Sequence, residues 1–249
     1  MATTTHEKSE WFEGWFDEDY LALYAHRDRA EAERFASALW SAINLKPGSW
    51  VADMPCGAGR HVTAFAELGA KVVGMDLSSV MLKQAAEVEG SRWLVRGDLR
   101  RIPLRGGFDL VANVFTSIGY FESESDNRTV FRELARLLGP GGVLVVDVIN
   151  PSYLRASFLS ETLRELPTAT VWERRELDRE RRRIVKEIEI RRGGRTRTIR
   201  ESVRLYEREE LSEIAGELGL AVMEFWGDYD GSRFHDRSPR LILLAKKER

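Results

Sequence analysis

One stretch of sequence decides the fold: Trp50-Val51-Ala52-Asp53-Met54-Pro55-Cys56-Gly57-Ala58-Gly59-Arg60-His61. Its apolar run ends in the acid Asp53, and a tight Gly-x-Gly turn follows at Gly57 and Gly59. Residues 62–68 then have the pattern of a helix, so the order is strand, glycine loop, helix. Glycine lets the backbone turn sharply and approach a ligand closely. This order is typical of the opening of a nucleotide-type binding unit.

A second acid follows at the matching place of the next strand. Residues 71–76 form another apolar run that ends in Asp76, 23 positions after Asp53. A carboxylate accepts hydrogen bonds from two hydroxyls at once, so an acid at this position holds a ribose diol. The sequence therefore predicts that Asp76 binds the ribose of a cofactor.

Five segments resemble, in the right order, the motifs of the class I S-adenosylmethionine-dependent methyltransferases, of the small-molecule type. Residues 53–59 are similar to the first motif of that family, Asp76-Leu77-Ser78 to the second and Gly97-Asp98-Leu99 to the third. Residues 108–115 are similar to its fourth strand, and residues 138–147 to its helix-turn-strand before the fifth strand. The resemblance covers about residues 45–150 and resumes near 209. It departs from the usual glycine at Pro55, which stiffens the loop.

The predicted fold is α/β: a Rossmann-like, seven-stranded, mostly parallel sheet with an inserted antiparallel β-sheet after strand five. The first five strands are predicted at 49–53, 71–76, 92–96, 108–114 and 142–148, with helices at 59–68, 78–88 and 126–138. A helix at 208–218 and two antiparallel strands at 221–226 and 240–245 complete the sheet. The predicted divisions are an N-terminal lid and helix (1–45), the core (46–150 and 208–249) and the insertion (151–207).

The insertion is predicted to contain three strands, at 171–177, 184–190 and 199–205, with a hairpin at Gly193-Gly194. Between residues 173 and 208 there are 14 Lys and Arg against 8 Asp and Glu, a local charge of about +6. A solvated face of paired charges is the simplest interpretation, and a nucleic-acid surface is the alternative. Few aromatic residues lie among the arginines, unlike in a surface that binds single strands. Because the insertion follows strand five, we expect it to form part of the wall on the substrate side of the site.

Bulk properties exclude several classes of protein. The net charge is -2 over 249 residues, which favours neither nucleic acid nor an anionic membrane as a partner. Cys56 is the only cysteine, so no disulfide forms within the chain, as expected for the cytoplasm. The polar start has no signal-peptide core, and no apolar run is long enough to span a bilayer. No metal-ligand spacing is present, so no metal is expected.

The resemblance implies that S-adenosylmethionine is the cofactor and S-adenosylhomocysteine the product. It places Asp53 at the glycine loop and the amino-acid end of the cofactor, and Asp98 near the adenine amino group. Simpler roles remain open: a strand-end cap for Asp53, an ordinary turn for Asp98, and core packing for Leu77 and Met81. The predicted cofactor-binding residues are Tyr20, Asp53, Pro55, Cys56, Gly57, Asp76, Leu77, Met81, Gly97, Asp98, Leu99 and Asn113.

The aromatic segment from Tyr20 to Arg27 is expected to close over the cofactor as a lid, as in similar methyltransferases. Within it, His26 is the candidate general base, because a neutral imidazole takes a proton near pH 7. A surface or capping histidine is the alternative. Asp28 is predicted to cap the helix over residues 30–40. The predicted substrate-binding residues are Tyr24, Arg27, Phe115, Tyr120 and Asn150, and a polar cluster in the last loop (Asp228, Tyr229, Asp230, Arg233 and His235) is a further candidate.

The predicted function is methyl transfer from S-adenosylmethionine to a nucleophilic atom of a small molecule, in a site that orients the acceptor and excludes water. A rival hypothesis is a methyltransferase for RNA or protein that docks through the arginine-rich insertion. The loop at 116–121 lacks the Asn/Asp-Pro-Pro-aromatic run that holds a flipped base, which disfavours nucleic acid. Two more hypotheses are a nicotinamide oxidoreductase, whose third glycine is replaced by Val62, and a non-catalytic cofactor-binding regulator. Pairing of the exposed insertion predicts a homodimer.

Overall fold

The computed structural model describes residues 10–24 and 29–248. In chain order its elements are a 3₁₀ helix (Trp11–Gly14), α1 (Glu18–Leu23), α2 (Arg29–Ala42), β1 (Trp50–Asp53), α3 (Arg60–Glu67), β2 (Lys71–Asp76), α4 (Ser79–Ala85), β3 (Trp93–Arg96), β4 (Phe108–Asn113), α5 (Glu124–Leu137), β5 (Leu138–Ile149), α6 (Pro151–Ala156), β6 (Glu161–Leu166), β7 (Ala169–Asp178), β8 (Arg183–Arg192), β9 (Arg195–Arg204), α7 (Arg208–Glu217), β10 (Leu220–Trp226) and β11 (Arg240–Lys247).

A seven-stranded sheet forms the centre of the molecule, in the order β10-β11-β5-β4-β1-β2-β3. Strand β11 runs antiparallel to both of its neighbours, and the other six strands all run in one direction. The predicted Rossmann-like sheet, with an antiparallel pair at its end, is thus confirmed. Since the carboxyl ends of β1, β2, β3 and β4 meet at one edge, the loops that follow them converge there.

Helices cover both faces of this sheet because alternate residues of the buried strands point to opposite sides. On one side Val51 and Leu110 pack with helices α2 and α3, and on the other Ala52 and Val111 pack with α5 and α7. The core therefore has three layers, in the order helix, sheet and helix. These helices leave the edge at the carboxyl ends of the strands open for a ligand.

The insertion differs from the prediction in two elements. Its antiparallel sheet has four strands, in the order β6-β7-β8-β9, where three were predicted. Strand β6, with the sequence Glu-Thr-Leu-Arg-Glu-Leu, is an edge strand of mostly polar residues, so it carries little of the apolar signal of a buried strand. The short helix α6, which the prediction also lacked, begins at Pro151 behind the cap of Asn150.

Strand β5 begins at Leu138, four residues before the predicted start at 142. Its Gly-Pro-Gly-Gly run has the composition of a turn, yet Leu138 pairs with Phe108 of β4. A Cβ at Gly142 would lie 2.5 Å from the Phe108 carbonyl oxygen. The glycine therefore serves close backbone packing between two strands, which composition alone assigns to a loop.

The N-terminal segment, residues 11–24, lies between the two sheets. Asp17 caps α1, because its Oδ1 accepts hydrogen bonds from the backbone N–H of Asp19 (3.0 Å) and Tyr20 (3.3 Å). Trp15 and Leu23 are buried against the inner face of the four-stranded sheet. The cap predicted at Asp28 lies outside the described residues. No helix within the described ranges is long and apolar enough to cross a membrane.

Candidate cofactor and substrate site

A cavity of about 280 Å³ opens at the carboxyl edge of β1, β2, β3 and β4. It is lined by the glycine loop, the loops after β2, β3 and β4, and the N-terminal segment. Thirteen of the predicted site residues meet there: Tyr20, Tyr24, Pro55, Cys56, Gly57, Asp76, Leu77, Met81, Gly97, Asp98, Leu99, Phe115 and Tyr120. The structure thus brings most of the sequence motifs to one place.

Asp76 joins the two loops that form the floor of the cavity. Its Oδ2 accepts the backbone N–H of Gly57 at 2.9 Å, and its Oδ1 accepts that of Ser78 at 2.8 Å. Burial raises the pKa of Asp76, and these backbone donors oppose the rise. The two carboxylate oxygens together have four lone pairs, more than the backbone N–H groups of Gly57, Leu77 and Ser78 use, so the carboxylate can still accept a hydrogen bond from a ligand hydroxyl. This arrangement fits the ribose role predicted for Asp76.

Asp98 lines the cavity beside Leu99 and also forms a bidentate pair with Arg100. The Arg100 Nη2 lies 2.6 Å from Oδ2, and the Arg100 backbone N–H donates to Oδ1 at 2.8 Å. Burial opposes ionisation, but the bonds from Arg100 outweigh it and lower the pKa of Asp98. Asp98 therefore closes a turn and presents a carboxylate to the cavity, so both of its predicted roles remain open.

Three buried polar side chains around the glycine loop have atoms without a hydrogen-bond partner among the described residues. They are both carboxylate oxygens of Asp53, Oδ1 of Asn113 and Nε2 of His61. Asp53 and Asn113 are fully buried and do not line the cavity, whereas His61 does. Leaving a buried polar group unpaired costs about 1–3 kcal/mol. These atoms therefore fit a site that a polar ligand or water completes.

Burial shifts the titration of two of these groups in opposite directions. Burial first, and then the nearby Asp76, raise the pKa of Asp53 to about 8, while Arg60 acts to lower it. Burial first, and then Arg60, lower the pKa of His61 to about 3. At neutral pH, Asp53 is therefore mostly a neutral acid and His61 a neutral imidazole.

The loop after β4, which forms one wall of the cavity, has an unusual backbone conformation. Phe115 and Thr116 both adopt left-handed conformations, with φ of 63° and 57°. The Phe115 ring lines the cavity and stacks on Tyr229, with 5.0 Å between ring centres. Tyr229, one of the five polar residues noted in the last loop, donates a 2.8 Å hydrogen bond to the buried Asp147. Arg240 pairs with Asp147 at 2.7 Å from the other side.

The N-terminal segment closes the cavity with aromatic residues, and the insertion holds it in place. Phe12 and Phe16 line the cavity together with Tyr20 and Tyr24. From the insertion, Lys186 donates to the Tyr24 hydroxyl at 2.9 Å. Similar bonds join Trp15 to Glu201 (2.6 Å) and Arg197 to the Gly14 carbonyl (2.7 Å).

The expectation that the insertion walls the substrate side is therefore corrected. Within the described part of the chain, no residue of 151–207 lines the cavity. The insertion instead supports two segments that do. Besides the N-terminal segment, it holds the loop after β4, because the Arg183 guanidinium donates to the carbonyl oxygens of Gly119 and Phe121, each at 3.0 Å.

Many arginines of the insertion are neutralised by nearby acids. Arg175 and Arg164 pair with Glu173, and Arg174 lies 3.1 Å from Glu187. Arg197 lies 2.7 Å from carboxylate oxygens of both Asp17 and Asp19, and Arg204 pairs with Glu210. Carboxylates of the same chain thus neutralise much of the local excess of positive charge, as predicted for a face of paired charges.

Besides Asp53 and Asn113, one more predicted site residue lies away from the cavity among the described residues. Asn150 does not line the cavity: it caps α6 and donates a 2.7 Å hydrogen bond to the Ser238 carbonyl, so its predicted substrate contact is corrected. His26 and Arg27 lie outside the described residues. Sequence reasoning did not select several residues that line the cavity, chiefly Phe12, Glu13, Phe16, Arg60, His61 and Ser117, although Arg60 and His61 directly follow the glycine loop. For the two phenylalanines the only signal was an aromatic N-terminal stretch.

The sequence and the fold are both similar to known proteins. Residues 52–146 match a family model described as a methyltransferase domain. The chain is 35% identical over 131 residues to a dTDP-4-amino-2,3,4,6-tetradeoxy-D-glucose N,N-dimethyltransferase of Saccharopolyspora spinosa, covering 51% of this chain and 52% of that protein. It is 31% identical over 118 residues to a dTDP-3-amino-3,4,6-trideoxy-alpha-D-glucopyranose N,N-dimethyltransferase of Streptomyces venezuelae, covering 47% and 49%. The matched part spans about half the length of these relatives.

A solved structure extends the similarity of fold to almost the whole chain. An S-adenosylmethionine-dependent methyltransferase from Clostridium acetobutylicum superposes with a TM-score of 0.78, covering 92% of this chain and 96% of that one. The two sequences are 18% identical, so this similarity concerns the fold. Because 92% of this chain is covered, the similarity extends beyond the central sheet into the insertion.

Proposed function

We propose that this chain, which belongs to the class I S-adenosylmethionine-dependent methyltransferases, transfers a methyl group from S-adenosylmethionine to a nitrogen of a small amine. The family predicted from the sequence motifs is confirmed. The observation that carries the proposal is the cavity itself: a glycine loop tied to Asp76 forms its floor, and aromatic side chains cover it.

The residues of the cavity fit S-adenosylmethionine, which supplies an activated methyl group on a sulfonium when bound. The Asp76 carboxylate would accept a hydrogen bond from a ribose hydroxyl. Leu77, Met81 and Leu99 would pack on the adenine, next to the carboxylate of Asp98. The amino-acid end would lie over the glycine loop, where the orphaned oxygens of Asp53 require a donor.

The acceptor that we propose is an amine of the size of an amino sugar. Both relatives named above act on dTDP-linked amino sugars, by their names. In this chain Tyr20, Tyr24 and Phe115 offer flat aromatic faces for a sugar ring, and Glu13 offers a carboxylate for an amino group. The aromatic cover also excludes water from the methyl group. His26 stays a prediction as the general base.

Macromolecular acceptors are less well supported. A cavity of about 280 Å³ suits a small acceptor, and the paired arginines of the insertion leave little charge for RNA. Leu163 on the edge strand β6 is 64% exposed, which supports pairing of two insertions in a homodimer. The single cysteine, buried and free, supports a reducing compartment such as the cytoplasm.

Calorimetry with S-adenosylhomocysteine tests the cofactor site. Losing a hydrogen bond to a carboxylate costs about 1.5–3 kcal/mol, so Asp76→Ala should weaken binding at least about tenfold. Asp236→Ala, which removes an exposed carboxylate in the last loop, is the matched control and should leave binding unchanged. If wild type and Asp76→Ala bind S-adenosylhomocysteine with equal affinity, the assignment of Asp76 as the residue that binds the ribose is contradicted.

Methylation of the acceptor needs a separate test. Purified protein is incubated with S-adenosylmethionine and, in separate reactions, with amino sugars, their dTDP derivatives, a tRNA pool or peptides. Methylated products are identified by mass spectrometry. We expect mono- or dimethylation of an amino-sugar nitrogen only. If instead tRNA is methylated and high salt abolishes this activity, the result would favour docking of RNA on the insertion.

A further inference from the structure

We propose that Asp147, Tyr229 and Arg240 are positioning residues for the methyl acceptor, because they hold Phe115 and Thr116 in the left-handed turn that forms one wall of the cavity. This inference rests on the proposed function. It gives a role to a buried polar cluster that touches neither the glycine loop nor the predicted cofactor contacts.

The turn is strained in a way that needs an external support. A left-handed backbone is unfavourable for a residue other than glycine, and here two such residues follow one another. Such conformations persist where the surroundings over-determine them, and they concentrate at functional sites. The Phe115 side chain lines the cavity, so the position of its ring depends directly on this backbone.

Asp147 supplies the support through three of its oxygen contacts. Its Oδ2 accepts the backbone N–H of Phe115 at 2.7 Å, and its own carbonyl oxygen accepts the N–H of Thr116 at 3.1 Å. The same Oδ2 accepts the Tyr229 hydroxyl at 2.8 Å. Since Asp147 lies near the end of β5, one rigid strand fixes both strained residues.

Arg240 fixes the other end of the cluster. Its Nε donates to Asp147 Oδ1 at 2.7 Å, and its Nη2 donates to the Thr116 hydroxyl at 2.6 Å. Burial opposes its charge, but Asp147 and then Tyr229 outweigh that effect and raise the pKa of Arg240. The arginine therefore stays charged, pairs with Asp147 and holds the side chain of Thr116.

Tyr229 links this support to the ring itself. Its ring stacks on Phe115 with an angle of 18° between the planes, while its hydroxyl is held by Asp147. A guanidinium from the glycine-loop helix, that of Arg60, lies 4.4 Å from the centre of the Phe115 ring. The Phe115 ring is thus held from the last loop and from α3.

The test compares Asp147→Asn and the milder Tyr229→Phe with the wild type. In Asp147→Asn we expect the KM for the amine acceptor to rise about tenfold. This rise corresponds to a loss of about 1.4 kcal/mol in the stability of the turn. Tyr229→Phe keeps the ring stack and should show a smaller rise. The affinity for S-adenosylhomocysteine should stay within about twofold of the wild type, because the cluster does not touch the predicted cofactor contacts. Asp109→Asn is the matched control, since Asp109 also accepts a backbone N–H, that of Trp50, at the opposite edge of the sheet.

A rescue separates positioning from a general structural role. Glycine adopts positive φ without penalty, so Thr116→Gly should restore the acceptor KM in the Asp147→Asn background. A loss of global stability would not be repaired by this change. The inference is overturned if Thr116→Gly fails to restore KM, or if S-adenosylhomocysteine affinity falls together with acceptor affinity.

Hydrogen exchange at residues 115 and 116 gives a readout that needs no turnover. Their amides should exchange faster in Asp147→Asn and in Tyr229→Phe than in the wild type, and unchanged exchange overturns the inference. Failure of the proposed function looks different: the wild type would bind S-adenosylhomocysteine yet methylate no amine.

Discussion

Replacing Asp53 with asparagine should stabilise the ligand-free protein at alkaline pH. The side chain is 0% exposed, and neither of its carboxylate oxygens has a partner in the described part of the chain. Burial, and then Asp76, raise its pKa from 3.8 to about 8. An aspartate in an unfolded chain ionises near pH 3.9, so the folded protein holds one extra proton between about pH 4 and pH 8.

Unfolding in this window releases that proton, so the contribution of Asp53 to the free energy of unfolding falls as pH rises from about 4 to about 8. A difference of about 4 between the two pKa values corresponds to a loss of about 6 kcal/mol above pH 8. Asparagine has nearly the same shape and does not ionise. We therefore expect Asp53→Asn to gain several kcal/mol over the wild type above pH 8 and to gain almost nothing near pH 4.

Urea denaturation of both proteins across the range from about pH 4 to pH 9 measures this difference. Asp109→Asn, which changes an exposed aspartate at the other edge of the sheet, is the control and should follow the wild-type profile. The reasoning is refuted if the stability difference between Asp53→Asn and the wild type is the same at every pH.

The same group links protonation to cofactor binding. A cationic amino group placed beside Asp53 would favour the ionised carboxylate, so binding at pH 7 should release up to about 0.9 proton. Calorimetry with S-adenosylhomocysteine in two buffers of different ionisation enthalpy measures the number of protons released. The Asp53→Asn variant should show no such release.

Three further substitutions test packing and support. Lys186→Met leaves the partly buried Glu201 without its cation and should lower the free energy of unfolding by up to about 3 kcal/mol in urea denaturation, a loss that adding Glu201→Gln reduces. Gly142→Ala places a Cβ 2.5 Å from the Phe108 carbonyl and should cost about 1–3 kcal/mol in the same assay. Ser78→Ala removes both a cap of α4 and a bond to the N-terminal segment; we expect about 1 kcal/mol less stability and weaker S-adenosylhomocysteine binding by calorimetry.

The central sheet was predictable because its signals are local. Each parallel strand is a short apolar run, and residues 51, 52 and 110 to 112 are buried on both faces of the sheet, as such runs predict. Strand β6 and the first residues of β5 were not predictable in the same way. One is a polar edge strand, and the other is a glycine-rich run whose pairing with Phe108 depends on a distant partner.

The cofactor side of the cavity was likewise predictable from motifs, since the glycine loop and Asp76 are separated by only one strand and one helix. The wall at Phe115 was not. It depends on Asp147, Tyr229 and Arg240, which are separated along the chain by up to 93 residues and carry no shared motif. Their meeting follows from the antiparallel β11 lying next to β5, and only the pairing register places Arg240 beside the end of that strand.

Asp53 and His61 oppose each other in the pH dependence of folding. The pKa of His61 is lowered to about 3, whereas a histidine in an unfolded chain titrates near 6.5, so the stability that His61 contributes is lost as pH falls between these values. The stability that Asp53 contributes is lost as pH rises from about 4 to about 8. Between about pH 4 and pH 6.5 the two slopes are equal and opposite, one proton each, and they cancel. His61→Phe should therefore make stability fall with rising pH from about pH 4, and Asp53→Asn should make it rise with pH up to about 6.5.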